Sequence, residues 1–532
     1  MDNFRNSIVY QIYPLSFKDS NNDGIGDING IISELPYIKS LGVDVIWLSP
    51  VYASPMDDNG YDISDYYEIN PMFGTKEDLR SLLIKAHDFG LRIIMDLVVN
   101  HTSDEHIWFK KAINEPSSQY FDFYIWTDKP NDIQSVFSGS AWTYQEKLNK
   151  YYFHLFSKKQ PDLNWQNEDL RHEIYKMINY WIDFGFDGFR LDVIDLIGKD
   201  VAKMKLADGP YLNKHLEELY EHCFKGKHLF TVGEMPGISI ERSRELTKDE
   251  KALKMIFQFD HIALDEQEHQ GKWALKDLDL IKLKETFNHT QQLFSVAGWP
   301  SLFWSNHDQP RALSRYGNPD IEYRYQSSTM LFGLLFGMKG TPYIYQGEEF
   351  GMTGIKMPIE DYQDIETKNI YQALASKGYN HDDIMTSIYK KSRDNSRTPM
   401  QWHDGLYAGF SNTKPWLKIN ENKSYISRDQ DLENKNSIIQ FVRKLIKIRK
   451  SYIIFEKGDF TLIDKDHVSL FSYKRVYQNH TLVVIANWTN ISQKQEIDLS
   501  GYDLILKNQT FNHNTDIPPY FIGWFIKEGE QS

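Results

Sequence analysis

The 532-residue chain has a single cysteine, Cys223. An intrachain disulfide framework is therefore excluded, and a reducing compartment, the cytoplasm, is the expected setting. There is no basic surplus: 60 Lys and Arg stand against 74 Asp and Glu, a formal net charge of −14. That sign argues against bulk phosphate binding, and so no nucleic-acid partner is expected. Long apolar runs are also missing. The longest, around Met330 to Met338, falls short of the ~20 residues needed to cross a bilayer, and the opening MDNFRNSIVYQIYP lacks the apolar core of a signal peptide. No internal repeat or low-complexity tract is found. No membrane partner is expected, and a monomer is expected rather than an oligomer. Aromatics are plentiful, at 14% of the chain; Tyr and Trp carry a flat apolar face and a polar edge that suit sugars as well as cores.

Short apolar runs alternate with amphipathic segments. Residues 8–13, 45–49, 93–99, 188–191, 229–233, 255–259, 302–304 and 342–345 read as strands covered on both faces. Segments such as 76–89 and 170–184 read as crossover helices. Eight strands with intervening helices predict a (β/α)8 barrel, the alternative being an open doubly wound sheet. The barrel is assigned to 1–101 and 170–455. An aromatic, polar stretch without helical periodicity, 102–169, reads as a domain inserted after the third strand. From 456 to 532, alternating runs separated by Asn, Asp and Gly predict an antiparallel β-sandwich. The basic run VRKLIKIRK (442–450) reads as the solvated face of the last barrel helix.

Catalytic groups of such barrels project from the carboxyl ends of strands. Here strand three closes in DLVVNH, strand four in GFRLDV, strand five in TVGEM and strand seven in LFWSNHD. Burying Asp96, Asp192, Glu234 and Asp308 beside apolar runs is costly unless each has a partner or a task. Arg190 shares a strand face with Asp192, and His101 and His307 lie close by in sequence. Several carboxylates, cationic partners and no thiol or serine motif suggest glycosyl chemistry. Arg190 would keep Asp192 ionised as a nucleophile. Partial desolvation would raise Glu234 for acid/base work.

In this order DLVVNH, GFRLDV, GE and NHD resemble the four conserved segments of the α-amylase family, glycoside hydrolase family 13. QPDLNW (160–165) resembles the fifth segment of its oligo-1,6-glucosidase branch, and DNGYDISDYY, GTPYIYQGEE and SRDNSRTPMQW extend the likeness over the whole chain. The resemblance implies a catalytic barrel, an inserted domain and a C-terminal β domain. It implies Asp192 as nucleophile, Glu234 as acid/base and Asp308 as the carboxylate gripping sugar hydroxyls. His101, His307 and Arg190 match groups around the cleaved sugar. Asp58 and Tyr61 match the pair closing the pocket, with Arg393 as their arginine partner and Arg397 as a weaker candidate. A second GE, at Gly347 and Glu348, is assigned a structural role.

Val193, directly after the nucleophile, goes with α-1,6 bonds in this family, as do GEMPG and FQFDHI; Glu366 resembles a contact to the leaving sugar. The implied activity is retaining, exo-acting hydrolysis of terminal α-1,6 bonds in small isomalto-oligosaccharides. NHDQPRALSRYGN and KSRDNSRTPMQW also look like trehalose-6-phosphate hydrolases, which need cations for the phosphate; no such cluster is identifiable. The same scaffold would also suit an α-1,4-glucosidase, a sucrose isomerase or a catalytically silent binding subunit. Finally, DSNNDGIGD spaces oxygen donors as in a calcium loop, with Asp19, Asn21, Asp23, the Ile25 carbonyl and Asp27 as ligands of a structural Ca2+.

Overall fold

A computed structural model describes residues 4–512 and 516–528. Eight parallel strands form its centre: β1 (Val9–Ile12), β2 (Val45–Leu48), β3 (Arg92–Leu97), β4 (Gly188–Leu191), β5 (Phe230–Glu234), β6 (Met255–Phe257), β7 (Ser301–Leu302) and β8 (Thr341–Tyr345). β1 pairs with both β2 and β8, and a parallel bridge between Ile256 and Pro300 joins the β6 and β7 segments. The sheet therefore returns on itself as a barrel, which removes the possibility of an open sheet. All eight strands lie within or beside the runs anticipated from the sequence.

Period-two alternation explains what fills the barrel. Val9, Val45, Ile94, Val232 and Met255 share one buried cluster with Trp47 and Phe257. Two residues further along, toward the carboxyl ends, the same alternation brings Gln11, Asp96 and Glu234. Arg190 enters this layer in register with Asp96 on β3 and Val232 on β5. The interior thus changes from apolar to charged within one strand length.

Crossover helices start and stop where local chemistry says they should. Lys76–Asp88 opens with a reciprocal capping box between Thr75 and Asp78, which satisfies two otherwise free backbone donors. Glu168–Phe184 starts at an Asn167 cap and stops at Gly185, whose φ of 122° favours glycine.

Between β3 and β4, strands Trp126–Thr127, Trp142–Gln145 and Lys150–Phe153 make a small antiparallel sheet. Its return segment is tied to the end of β3: Leu163 N–H donates to Asn100 O at 2.9 Å, and the Trp165 indole to Val99 O at 2.7 Å. The C-terminal part is a five-stranded antiparallel sheet with Leu470–Tyr477, His480–Asn487 and Ile522–Glu528 at its centre. A second apolar cluster, including Leu470, Val483, Phe511, Ile517 and Phe525, gives this domain its own core.

The helix Arg324–Phe336 contains most of the longest apolar run. It lies between barrel and C-terminal sheet, with Tyr473 Oη donating to Leu334 O and the Trp524 indole to Gly333 O. Its second half, from Met330 to Phe336, is apolar on every side, as such a sandwiched position requires. The reading of 442–450 as a wholly solvated face needs correction. Arg449 is buried in the helix Ile438–Ser451 and donates to Phe336 O, to Met338 O at 2.9 Å and to Gly340 O at 2.6 Å. Phe336 ends the sandwiched helix, and Met338 and Gly340 lie on the turn from it to β8. Among the described residues no helix is long and apolar enough to cross a membrane.

Candidate active site

Above the charged layer, at the carboxyl end of the barrel, lies a cavity of about 420 Å3. Its wall includes Asp58, Tyr61, His101, Asp192, Val193, Glu234, Asp308 and Arg393. Arg190 and His307 sit beneath, fully buried.

Arg190 organises the floor. Its Nη1 holds Asp96 at 2.7 Å and also bonds Asp192; its Nη2 reaches Glu234 Oε2 at 2.5 Å. Asp192 and Glu234 are thus brought together by neighbouring nitrogens of one guanidinium, and a close carboxyl pair is what a retaining glycosidase uses. The expected ion pair between Arg190 and Asp192 is present, and burial opposes its effect on the carboxyl. Burial raises the Asp192 carboxyl well above its ordinary range, Arg190 works against this, and Glu234 and Asp96 add to the rise. One cation thus serves three carboxyl groups, Asp96, Asp192 and Glu234.

Val193 links the pair in a second way. It adopts left-handed backbone, φ 35° and ψ 44°, a costly state for a β-branched residue. That twist aims its N–H at Glu234 Oε2, 3.2 Å away. The residue after Asp192 thus orients the opposing carboxylate as well as shaping the wall.

Asp308 sits in the opposite electrostatic setting. Burial alone would raise it, but His307, Arg393 and Arg397 hold it well below the usual carboxylate range. His307 Nε2 lies 3.0 Å from Asp308 Oδ2, and Arg397 Nη2 2.8 Å from Oδ1. Tyr61 stacks on His307, with ring centroids 5.2 Å apart, and its hydroxyl lies 3.0 Å from Asp96 Oδ2. Burial pushes the His101 imidazole down to about 4, so it is neutral near pH 7.

One end of the cavity is closed by Arg393, whose Nη2 meets Asp58 at 2.9 Å and Asp364 at 2.6 Å. Two participants carry little signal in the sequence. Asp364 caps the helix Ile365–Ser376 with Oδ2 and accepts from Arg393 with Oδ1. Its only local sign is the D-x-x-T cap. Gln160 donates to Asp58 Oδ2 at 3.1 Å and lies 3.2 Å from His101 Nε2; its place at the head of QPDLNW is the one clue. Arg397, the weaker candidate beside Arg393, contacts Asp308 rather than Asp58. Glu366 lines the cavity and pairs with Lys272 at 2.7 Å. Glu348 is outside it, accepting from Tyr345 N–H and Ser305 Oγ.

The Asp19–Asp27 loop offers oxygen donors only, the chemistry a hard cation takes. Its carboxylates are turned onto the loop's own amides: Asp19 accepts from Asn21, Asn22 and Gly24, Asp23 from Ile25, and Asp27 from Ser20 and Gly30. Among the described residues, no three acidic, histidine or cysteine side chains converge as a metal-ligand group.

The α-amylase catalytic-domain family model matches residues 11–458. The chain belongs to the α-amylase family. Among its relatives within that family, an oligo-1,6-glucosidase of Halalkalibacterium halodurans is 48% identical, with 96% of this chain and 95% of the relative covered. A glucan 1,6-α-glucosidase of Streptococcus pneumoniae is also 48% identical, with 95% of each covered. The crystal structure of trehalose-6-phosphate hydrolase from Bacillus licheniformis superposes with a TM-score of 0.92 at 42% identity, covering 98% of this chain and 99% of that one. The strand-end carboxylates and their arginines lie at the carboxyl end of the barrel, the face on which barrels of this kind carry their active sites.

Proposed function

We propose that this glycoside hydrolase is a retaining exo-α-glucosidase that removes terminal glucose from α-1,6-linked isomalto-oligosaccharides. Asp192 attacks the anomeric carbon while Glu234 donates its proton to the leaving glycosidic oxygen, and a glucosyl ester of Asp192 forms. Glu234, now a base, takes a proton from water; the water oxygen bonds to the anomeric carbon and Asp192 leaves. Asp308, kept ionised by its arginines, accepts from sugar hydroxyls as charge develops on the ring. The Asp58–Arg393 closure leaves room for a chain end and not for a chain passing through.

The observation that carries the substrate class is the charge of the cavity wall, while the α-1,6 linkage is supported by the oligo-1,6-glucosidase and glucan 1,6-α-glucosidase relatives. Among its described residues are six carboxyl groups, Asp58, Asp192, Asp195, Glu234, Asp308 and Glu366, against two cations, Lys272 and Arg393. Both cations are already paired with carboxylates. A dianionic sugar phosphate finds no free charge there, which favours neutral oligosaccharides over trehalose-6-phosphate. The test is kcat/KM on isomaltose, panose, maltose and trehalose-6-phosphate at one pH. Isomaltose and panose should lead, with α-glucose the first anomer released; a lead for maltose or the phosphorylated sugar overturns the assignment.

The oxygen-only donor set supports a structural Ca2+ at the Asp19–Asp27 loop. Adding Ca2+ to chelator-treated protein should raise Tm, and Asp23→Ala should abolish the rise; no rise in the unaltered protein removes this proposal. The lone cysteine, which is buried, supports a cytoplasmic setting.

A further inference from the structure

One carboxyl in the cavity wall has no task in the mechanism above. Asp195 follows the nucleophile by three residues and is 1% exposed. Its Oδ2 accepts from Gly237 N–H at 3.1 Å, and its Oδ1 is buried without a partner. A buried carboxyl with an orphan oxygen is expensive to keep. Gly237 stands three residues beyond Glu234. A Cβ there would lie 2.3 Å from Ala207 Cβ and 2.8 Å from Asp195 Oδ2, so only glycine lets this backbone approach so closely.

Two bonds therefore cross between the turns that follow the two catalytic carboxylates. Val193 N–H reaches from the Asp192 turn to Glu234, and Gly237 N–H reaches back from the Glu234 turn to Asp195. We propose that Asp195 is a positioning residue, bracing the Glu234 turn against the nucleophile turn and, as a neighbouring negative charge, keeping the proton on Glu234. This rests on the assignment of Glu234 as acid/base. Burial brings the Asp195 carboxyl up to about 7, with Glu234 adding to the rise and Lys199 opposing it. Lys199 is itself held by Asp162 at 2.8 Å, and on the Ala207 side Asp208 is paired with Arg242 at 2.9 Å. Asp195 thus gains its charge as pH passes neutrality, when a general acid is most in danger of losing its proton.

The experiment compares Asp195→Ala and Asp195→Asn on isomaltose and on p-nitrophenyl α-glucoside, whose phenolate departs with little help from an acid. Asp195→Ala should lower kcat on isomaltose by about tenfold or more and on the aryl glucoside by less than about threefold. Asp195→Asn retains an oxygen for Gly237 N–H. It should recover most of the lost isomaltose turnover on the acid side of the pH profile. Its alkaline limb should move to lower pH. Equal losses on both substrates, or an Asp195→Asn limb that superimposes on the unaltered enzyme's, overturn the proposal. If Asp195→Ala does not fold, the Asp195→Asn profile decides alone. If the enzyme prefers another disaccharide, that sugar replaces isomaltose; the linkage assignment then fails and the Asp195 test still stands.

Discussion

At the scale of single residues, the site works by sharing. Arg190 serves Asp96, Asp192 and Glu234 at once, and Arg393 serves Asp58, Asp308 and Asp364. Removing either cation would leave several buried carboxyls uncompensated, which costs far more than one ion pair. Val193 is the residue whose change is most informative. Ala or Thr at 193 widens or re-polarises the wall, and the ratio of α-1,4 to α-1,6 activity should rise. Ala also relieves β-branched crowding at φ 35°, so Val193→Ala should not lose thermal stability as a buried Val→Ala usually does. Paired maltose and isomaltose kinetics, with a melting curve, check both outcomes. Glu234→Gln should lower turnover of isomaltose by about 10²–10⁴-fold.

At the scale of elements, legibility followed the range of the interaction. Strand alternation and strand-end acids are local, and the sequence displays both. The helix Lys76–Asp88 could be placed because its cap is written three residues apart. Asp364 could not, because its partner Arg393 is 29 residues away and nothing local pairs them. Arg449 is the opposite error: a basic run reads as solvated, yet one member turns inward to cap a helix more than a hundred residues earlier. Arg449→Leu should remove those bonds and cost about 3 kcal/mol. A fall in Tm of several degrees with kcat intact would bear this out; an unchanged Tm would show those carbonyls are satisfied otherwise.

At the scale of the whole molecule, buried titratable groups set the response to pH. Burial raises Asp62, Asp195, Glu348 and Glu349 to about 7 and Asp394 to about 6. The native state holds those protons longer than the unfolded chain, so their contribution is full below about pH 4 and is lost as pH rises toward 7. Burial lowers His101, His215 and His261 to about 4 and His106 to about 3. Their contribution is full above about pH 6.5 and is lost as pH falls through those values. The two sets oppose each other, so stability should vary little between about pH 4.5 and 6.5. Below about pH 4 it should drop, because Asp308 and Asp364, held low by their arginines, stay ionised in the native state while the same carboxyls take up protons in the unfolded chain. Calorimetric Tm against pH checks this, and a steep slope of one sign across the plateau would contradict it.

The sequence alone determined the barrel, the identity of the strand-end acids and the family, since these rest on periodicities and strings a few residues long. Tertiary structure alone decided how three carboxyls share Arg190, which arginine meets Asp58, and that Asp195 faces Gly237. Those are contacts between segments far apart in the chain, set by barrel closure and by the approach of loops. An acid surplus with no basic patch, plain from composition, has a local counterpart in an acidic cavity whose lining cations are already paired.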